Sequence, residues 1–204
     1  FLEMWNAIKK TDTDYTAYFP EITYTAKQTG YVQPYADNPL DDEHTGENVY
    51  MNVLNSAREY AYFITPYLLI SDEMKKAFTL AARRGVDVRI ITPGIPDKKF
   101  VYQATRSYYN RLVKKGVRIF EYTPGFCHAK QCVSDDKAAV VGTINLDYRS
   151  LYHHFENAAA FYHKDAVAGV KADFDHLFEE CHEVTEQYRS HRSTALRIGQ
   201  CILR

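Results

Sequence analysis

The chain has 204 residues, 25 Lys plus Arg against 26 Asp plus Glu, and a formal net charge of −1. With 46% apolar and 25% charged residues it is neither disordered, collagen-like nor coiled coil, and its near-neutral balance gives no support to a general nucleic-acid binder. Cys127, Cys132, Cys181 and Cys201 are too few for a disulfide framework, so reduced thiols in a cytosol-facing setting are expected. There is no signal peptide, and no apolar run approaches the roughly 18 residues of a transmembrane helix.

Residues 1–45 are the least regular. Tyr15–Phe19 and Ile22–Thr25 are β-rich runs punctuated by Pro20 and Gly30, and Gln33–Glu43 has loop composition. From residue 47 the pattern alternates. Val49, Val53, Leu54 and Ala57 share a helical face, and Tyr60–Leu69 reads as a buried strand running into a turn at Pro66. Ser71 caps a helix that carries Asp72 and Glu73 in its first turn and ends at Gly85. A strand over 86–92, a helix with Val101, Ala104, Tyr108 and Leu112 on one side, and a strand over 117–122 follow. Three β runs come next, His128–Ser134, Ala138–Asn145 and Phe155–Tyr162, then an amphipathic helix from Val167 to Cys181. This order predicts an α/β layered sandwich, a mixed central sheet flanked by helices. In the tail, Ala195, Leu196, Gly199, Ile202 and Leu203 form a short apolar face, read as a docked terminal helix ahead of a membrane-surface one.

The chemistry-bearing stretch is Gly125–Asn145, with the spacing His-x-Lys-x(4)-Asp-x(6)-Gly-Thr-x-Asn. With Asp136-Lys137 as a two-residue turn, Ser134 pairs with Ala139, Thr143 with Lys130, and His128 faces Asn145. His128, Lys130, Thr143 and Asn145 then share one face of the hairpin. Gly142 leaves room for something to approach the backbone closely. A slip of one residue would turn Thr143 and Asn145 to the other face. Such a patch suits a phosphoryl group. Lys and Asn donate to its non-bridging oxygens, and a neutral His attacks phosphorus or shuttles a proton. No carboxylate cluster suited to Mg²⁺ is evident. Cys127, His128, Cys132, Cys181 and His182 lack a C-x-x-C pair, so zinc is not expected. His163-Lys164-Asp165 lacks the motif's spacing and reads as a strand end and helix cap.

The spacing is that of the HKD motif of the phospholipase D superfamily. Flanking blocks extend the likeness: Phe63–Tyr67, Arg83–Ile91, Arg106–Tyr109, Glu121–Gly125, Asn145–Ser150, Tyr31–Tyr35 and Pro39–Glu43. Together residues 31–185 resemble the C-terminal half of bacterial cardiolipin synthases. The resemblance implies a phosphatidyltransferase that joins two phosphatidylglycerols into cardiolipin and glycerol through a phosphohistidine, with no cofactor or metal. Catalytic roles fall to His128, Lys130 and Asp135, although Asp135 in this motif is usually structural. Asn145, Thr143, Gly142 and Arg106 would bind phosphate or substrate, and Glu156 would orient the histidine. His128 is read as acid/base rather than nucleophile.

Only one such motif is present, since no other His has Lys two residues on. The resemblance therefore implies a partner, either a missing N-terminal HKD half or a second identical chain. It also implies anionic phospholipid at a membrane surface, no nucleic acid, and a cytosol-facing place at the cell membrane for the full-length protein. On this reading residues 1–30 lead in from an upstream half, 31–185 are the catalytic domain, and 186–204 are a truncated basic and apolar tail. Competing readings are a homodimeric phosphodiesterase or nuclease of the same superfamily and a catalytically incomplete half-domain.

Overall fold

A computed structural model describes residues 2–8, 10–11, 14–25 and 29–190. Their elements are α1 (Leu2–Ile8), β1 (Val32–Asp37), α2 (Thr45–Ser56), β2 (Tyr60–Ile64), β3 (Leu68–Leu69), α3 (Asp72–Arg83), β4 (Asp87–Pro93), α4 (Lys99–Val113) and β5 (Arg118–Tyr122). They continue with β6 (Gln131–Ser134), β7 (Ala138–Gly142), β8 (Leu146–Asp147), α5 (Tyr148–His153), β9 (Glu156–Phe161), α6 (Lys164–Glu180), β10 (Cys181–Glu183) and α7 (Thr185–Ser190). The main sheet runs β1-β9-β7-β6-β2-β4-β5-β10. β2, β4 and β5 are parallel and every other pairing in it is antiparallel. The expected mixed sheet flanked by helices is what the chain adopts.

Strand periodicity sorts the core into two layers. On β2, Ala61 and Phe63 join the cluster that α2, α3 and α4 supply through Leu54, Phe78 and Leu112. Tyr60, Tyr62 and Ile64 point the other way, to Val167 and Phe174 of α6. All five β2 residues are buried, as expected for a strand covered on both faces. Local signals set the helix ends. Ser71 accepts the Met74 N–H at 3.0 Å, and Gly85 takes the left-handed φ of 93° just past α3.

Four expectations fail for physical reasons. Thr16–Tyr18 is a 3₁₀ turn and 22–25 is not a strand; Ile22 and Tyr24 are exposed and no strand pairs with either run. Val32–Asp37, partly assigned to a loop, is an edge strand on β9, where Pro34 costs no interior ladder bond. The second β run, Ala138–Asn145, splits differently from the prediction, because β7 stops at Gly142 and the chain then makes β8 and α5. The fourth correction is the hairpin register. Ser134 pairs with Ala138, not Ala139, so the loop has three residues, Asp135, Asp136 and Lys137. Asp135 and Asp136 sit at φ 53° and 54°, a conformation Asp tolerates. The segment 185–190 is α7, packed on α4 with Tyr188 buried; the apolar face over 195–203 lies outside the described residues. No helix among the described residues is long and apolar enough to cross a membrane.

Candidate functional site

The β6–β7 hairpin has two chemically different ends. β6 runs antiparallel to β2, so Gln131 lies beside Ile64 at the C-terminal end of β2, and Ser134 lies beside Ala61 near its start. At about 3.3 Å per strand residue, Lys130 and Asp135 are about 16 Å apart. Asp135 therefore cannot act where Lys130 acts. Its carboxylate accepts the backbone N–H groups of Arg58 (2.7 Å), Glu59 (3.0 Å) and Tyr60 (2.8 Å). Burial acts to raise its pKa, but the bonds from Tyr60, Arg58 and Glu59 outweigh it and hold the carboxyl below its ordinary value. Asp135 is a tie between the hairpin turn and the entry to β2, the structural place that the motif's aspartate usually takes.

At the other end the ladder stops before the motif residues. His128 and Lys130 precede β6, and the Gly142 N–H donates to the Lys130 carbonyl at 3.2 Å. Lys130 thus lies opposite Gly142 rather than Thr143, and no pleat forces the four side chains onto one face. Lys130 Nζ instead folds back onto His128, 2.9 Å from Nδ1 and 2.5 Å from its carbonyl oxygen. An ammonium only donates, so Nδ1 accepts and Nε2 carries the proton of the neutral ring. Burial and the Lys130 charge both lower the His128 pKa, against the pull of Asp97. Burial also lowers the Lys130 pKa, opposed by Glu156, Cys127 and Asp147.

Asn145 lines a cleft of about 330 Å³ with Tyr67, Lys98, Asp147, Ser150 and His154 among its walls. Its Oδ1 is buried and has no hydrogen-bond partner, whereas its backbone N–H donates to Ser150 Oγ at 2.8 Å. A buried unpaired acceptor costs about 1–3 kcal/mol unless something arrives to satisfy it. The cleft is held from below: Tyr50 donates to the Ile144 carbonyl at 2.8 Å, and the Leu146 N–H donates to Thr65 Oγ1 at 3.0 Å.

The remaining sequence candidates have other partners. Glu156 accepts from Thr143 Oγ1 and, at 2.7 Å, from Ser150 Oγ, and lies 3.4 Å from His154 Nδ1. Within this chain, then, the ring nitrogen expected to meet Glu156 meets Lys130. Thr143 clamps β7 to β9, donating its backbone N–H to the Asn157 carbonyl at 2.9 Å. Gly142 makes room for protein rather than ligand: a Cβ there would lie 2.4 Å from Ala158 Cβ and 2.5 Å from the Asn157 carbonyl. Arg106 Nε bonds Glu121 at 3.0 Å, and its guanidinium lies 4.8 Å from the Tyr102 ring centroid. That placement ties α4 to β5.

Four residues of the site escaped sequence reading. Asp97, within electrostatic reach of His128, accepts from the Tyr67 hydroxyl at 2.5 Å. Asp147 caps α5 through the Ser150 N–H at 3.0 Å while facing the cleft. His154 ends α5 beside Glu156. The Asp-x-x-Ser cap at 147–150 was the available signal; for Tyr67 and Asp97, 30 residues apart, there was none.

A phosphate-suited motif at the C-terminal edge of parallel strands in a mixed sheet defines a phospholipase D-like fold. Solved structures agree on the fold. One is a phospholipase D family member, Nuc, from Salmonella typhimurium (TM-score 0.65, 17% identity, covering 79% of this chain and 100% of that one). Another is phosphatidylserine synthase from Haemophilus influenzae Rd KW20 (TM-score 0.69, 16% identity, covering 84% of this chain and 44% of that one). The family model described as "Cardiolipin synthase, PLD-like domain" matches residues 50–178, and the chain belongs to that family. A cardiolipin synthase of Geobacillus sp. (strain WCH70) is 34% identical over 185 residues, 91% of this chain and 37% of that protein. An uncharacterized protein of Streptococcus mutans is 50% identical over 185 residues, 91% of this chain and 40% of its own length. The chain thus spans about two fifths of these relatives.

Proposed function

We propose that this chain supplies one of two HKD motifs to a phosphatidyltransferase that converts two phosphatidylglycerols into cardiolipin and glycerol. The observation that carries the reading is the His128–Lys130 pair beside the Asn145 cleft. Lys130 and the Asn145 amide are suited to hold the phosphodiester's non-bridging oxygens. The histidine of the other motif attacks phosphorus, and the phosphorus–oxygen bond to glycerol breaks. His128, as the imidazolium, donates its Nε2 proton to the departing oxygen and becomes neutral. It then accepts the proton of the second lipid's hydroxyl, whose oxygen displaces the first histidine from phosphorus.

The second motif comes from another segment of the full-length protein or from a second copy. Thin-layer chromatography of products from phosphatidylglycerol in mixed micelles, without divalent metal, tests the proposal, with a second HKD half supplied if the chain alone is silent. Cardiolipin and glycerol are expected. Phosphatidic acid and glycerol, with no cardiolipin, would make it a hydrolase. That second reading is favoured by the match of this fold to the whole of Nuc.

A further inference from the structure

Away from the site, α3 and α4 pack side by side and leave a groove of about 500 Å³ between them. Its walls carry Lys75, Lys76, Arg111, Lys114 and Lys115 against one carboxylate, Asp72. Asp72 is already paired with Lys75. Among the described residues, Lys76, Arg111, Lys114 and Lys115 are in no ion pair. These four cations, two on the helices and two just past the end of α4, outnumber the one carboxylate, Asp72, that lies within reach of Lys76 and Arg111, and make a strong local field in a chain whose net charge is −1. The last turn of α4 accounts for part of this through the helix dipole, but Lys76 lies in the N-terminal half of α3, where the dipole disfavours a cation.

Two further features give the groove direction. Leu80, one turn beyond Lys76 on α3, is 52% exposed, so an apolar side chain neighbours Lys76 at the edge of the groove. The groove also neighbours the Asn145 cleft. A second depression shares Asp72, Lys75 and Arg111 with the groove, and shares the half-exposed Tyr148 with the cleft that holds Asn145. Cations beside an exposed leucine, on the same side of the molecule as a phosphate-suited cleft one shared wall away, match a phospholipid surface better than a soluble anion, which would need no apolar contact.

We propose that the α3–α4 groove is the surface by which this protein rests on an anionic phospholipid bilayer, with headgroup phosphates between Lys76, Arg111 and Lys114. This rests on the reading of the substrate as a phospholipid. Each cation near such a surface contributes about fivefold in partitioning, so removing three weakens it by about a hundredfold at low salt.

The test is co-sedimentation of the chain with vesicles of equimolar phosphatidylglycerol and phosphatidylcholine. It compares Lys76→Gln/Arg111→Gln/Lys114→Gln with a charge-matched control, Arg58→Gln/Lys137→Gln/Lys164→Gln, after circular dichroism shows both folded. All six positions are exposed. Loss of binding by the groove variant alone is expected, with no binding of any form to pure phosphatidylcholine. Equal loss in both variants, unchanged binding by the groove variant, or no binding by the unsubstituted chain would overturn the proposal. Turnover of monomeric short-chain phosphatidylglycerol, with the second HKD half present, separates this from the catalytic reading. The groove variant should keep it, and a chain that binds vesicles through the groove yet converts no lipid would overturn only the catalytic reading.

Discussion

The two ends of one hairpin behave oppositely. At the turn, Asp135 is saturated by three backbone N–H donors, and Asp136 and the Tyr60 hydroxyl bond one another. At the open end, Asn145 keeps a buried acceptor unpaired, His128 is exposed, and the Lys130 ammonium is partly desolvated. Residues of one motif, a few positions apart, thus divide into a satisfied end that stabilises the sheet and an unsatisfied end suited to a ligand. Membership of a motif does not assign a role; hydrogen-bond satisfaction does.

The comparison breaks most sharply at His128. With a second HKD half present, His128→Ala should lower turnover by at least about 10³-fold with an unchanged melting temperature, because the ring is exposed and supports no core. Full activity in that folded variant would end the assignment. Gly142→Ala should instead act through folding, losing about 2–3 kcal/mol in urea unfolding, because the new methyl meets Ala158 and the Asn157 carbonyl on β9. A neutral result there would mean that Gly142 serves a ligand after all.

Asp135→Ala should cost about 2 kcal/mol of stability, discounted for partial solvent exposure, with the catalytic rate per folded molecule unchanged. Its pH signature has a definite sign. The folded pKa is lowered, so the contribution is present above the unfolded carboxyl's value and is lost as pH falls through the folded one. The variant's stability should therefore decline less in acid than that of the unsubstituted chain. The smallest effect is at Lys130. Lys130→Met removes a positive charge that lowers the His128 pKa, so a ¹H–¹⁵N titration should show that pKa rise. An unchanged pKa would mean that burial, not Lys130, holds the ring's pKa down.

Much of this was legible in order of residues. Ser71 with Asp72 and Glu73 announced α3, and the all-apolar Tyr60–Ile64 announced a strand buried on both faces. The motif spacing singled out His128, Lys130 and Asn145. Errors arose where a partner far along the chain decided the outcome. The β-rich runs at 15–19 and 22–25 found no strand to pair with, while Val32–Asp37, loop-like in composition, found β9. The hairpin slipped by one residue because Asp135 is bound by residues 58–60, a contact 75 to 77 positions away.

By itself the sequence determined the layered α/β class, the helix caps and the motif, since periodicity and short-range hydrogen bonding act over a few residues. Only the tertiary structure decided which motif residues are ties and which are left open, and it gathered five cations from α3 and the C-terminal end of α4 into one groove. Burial and hydrogen-bond satisfaction belong to pairs of groups that the chain brings together only when it folds.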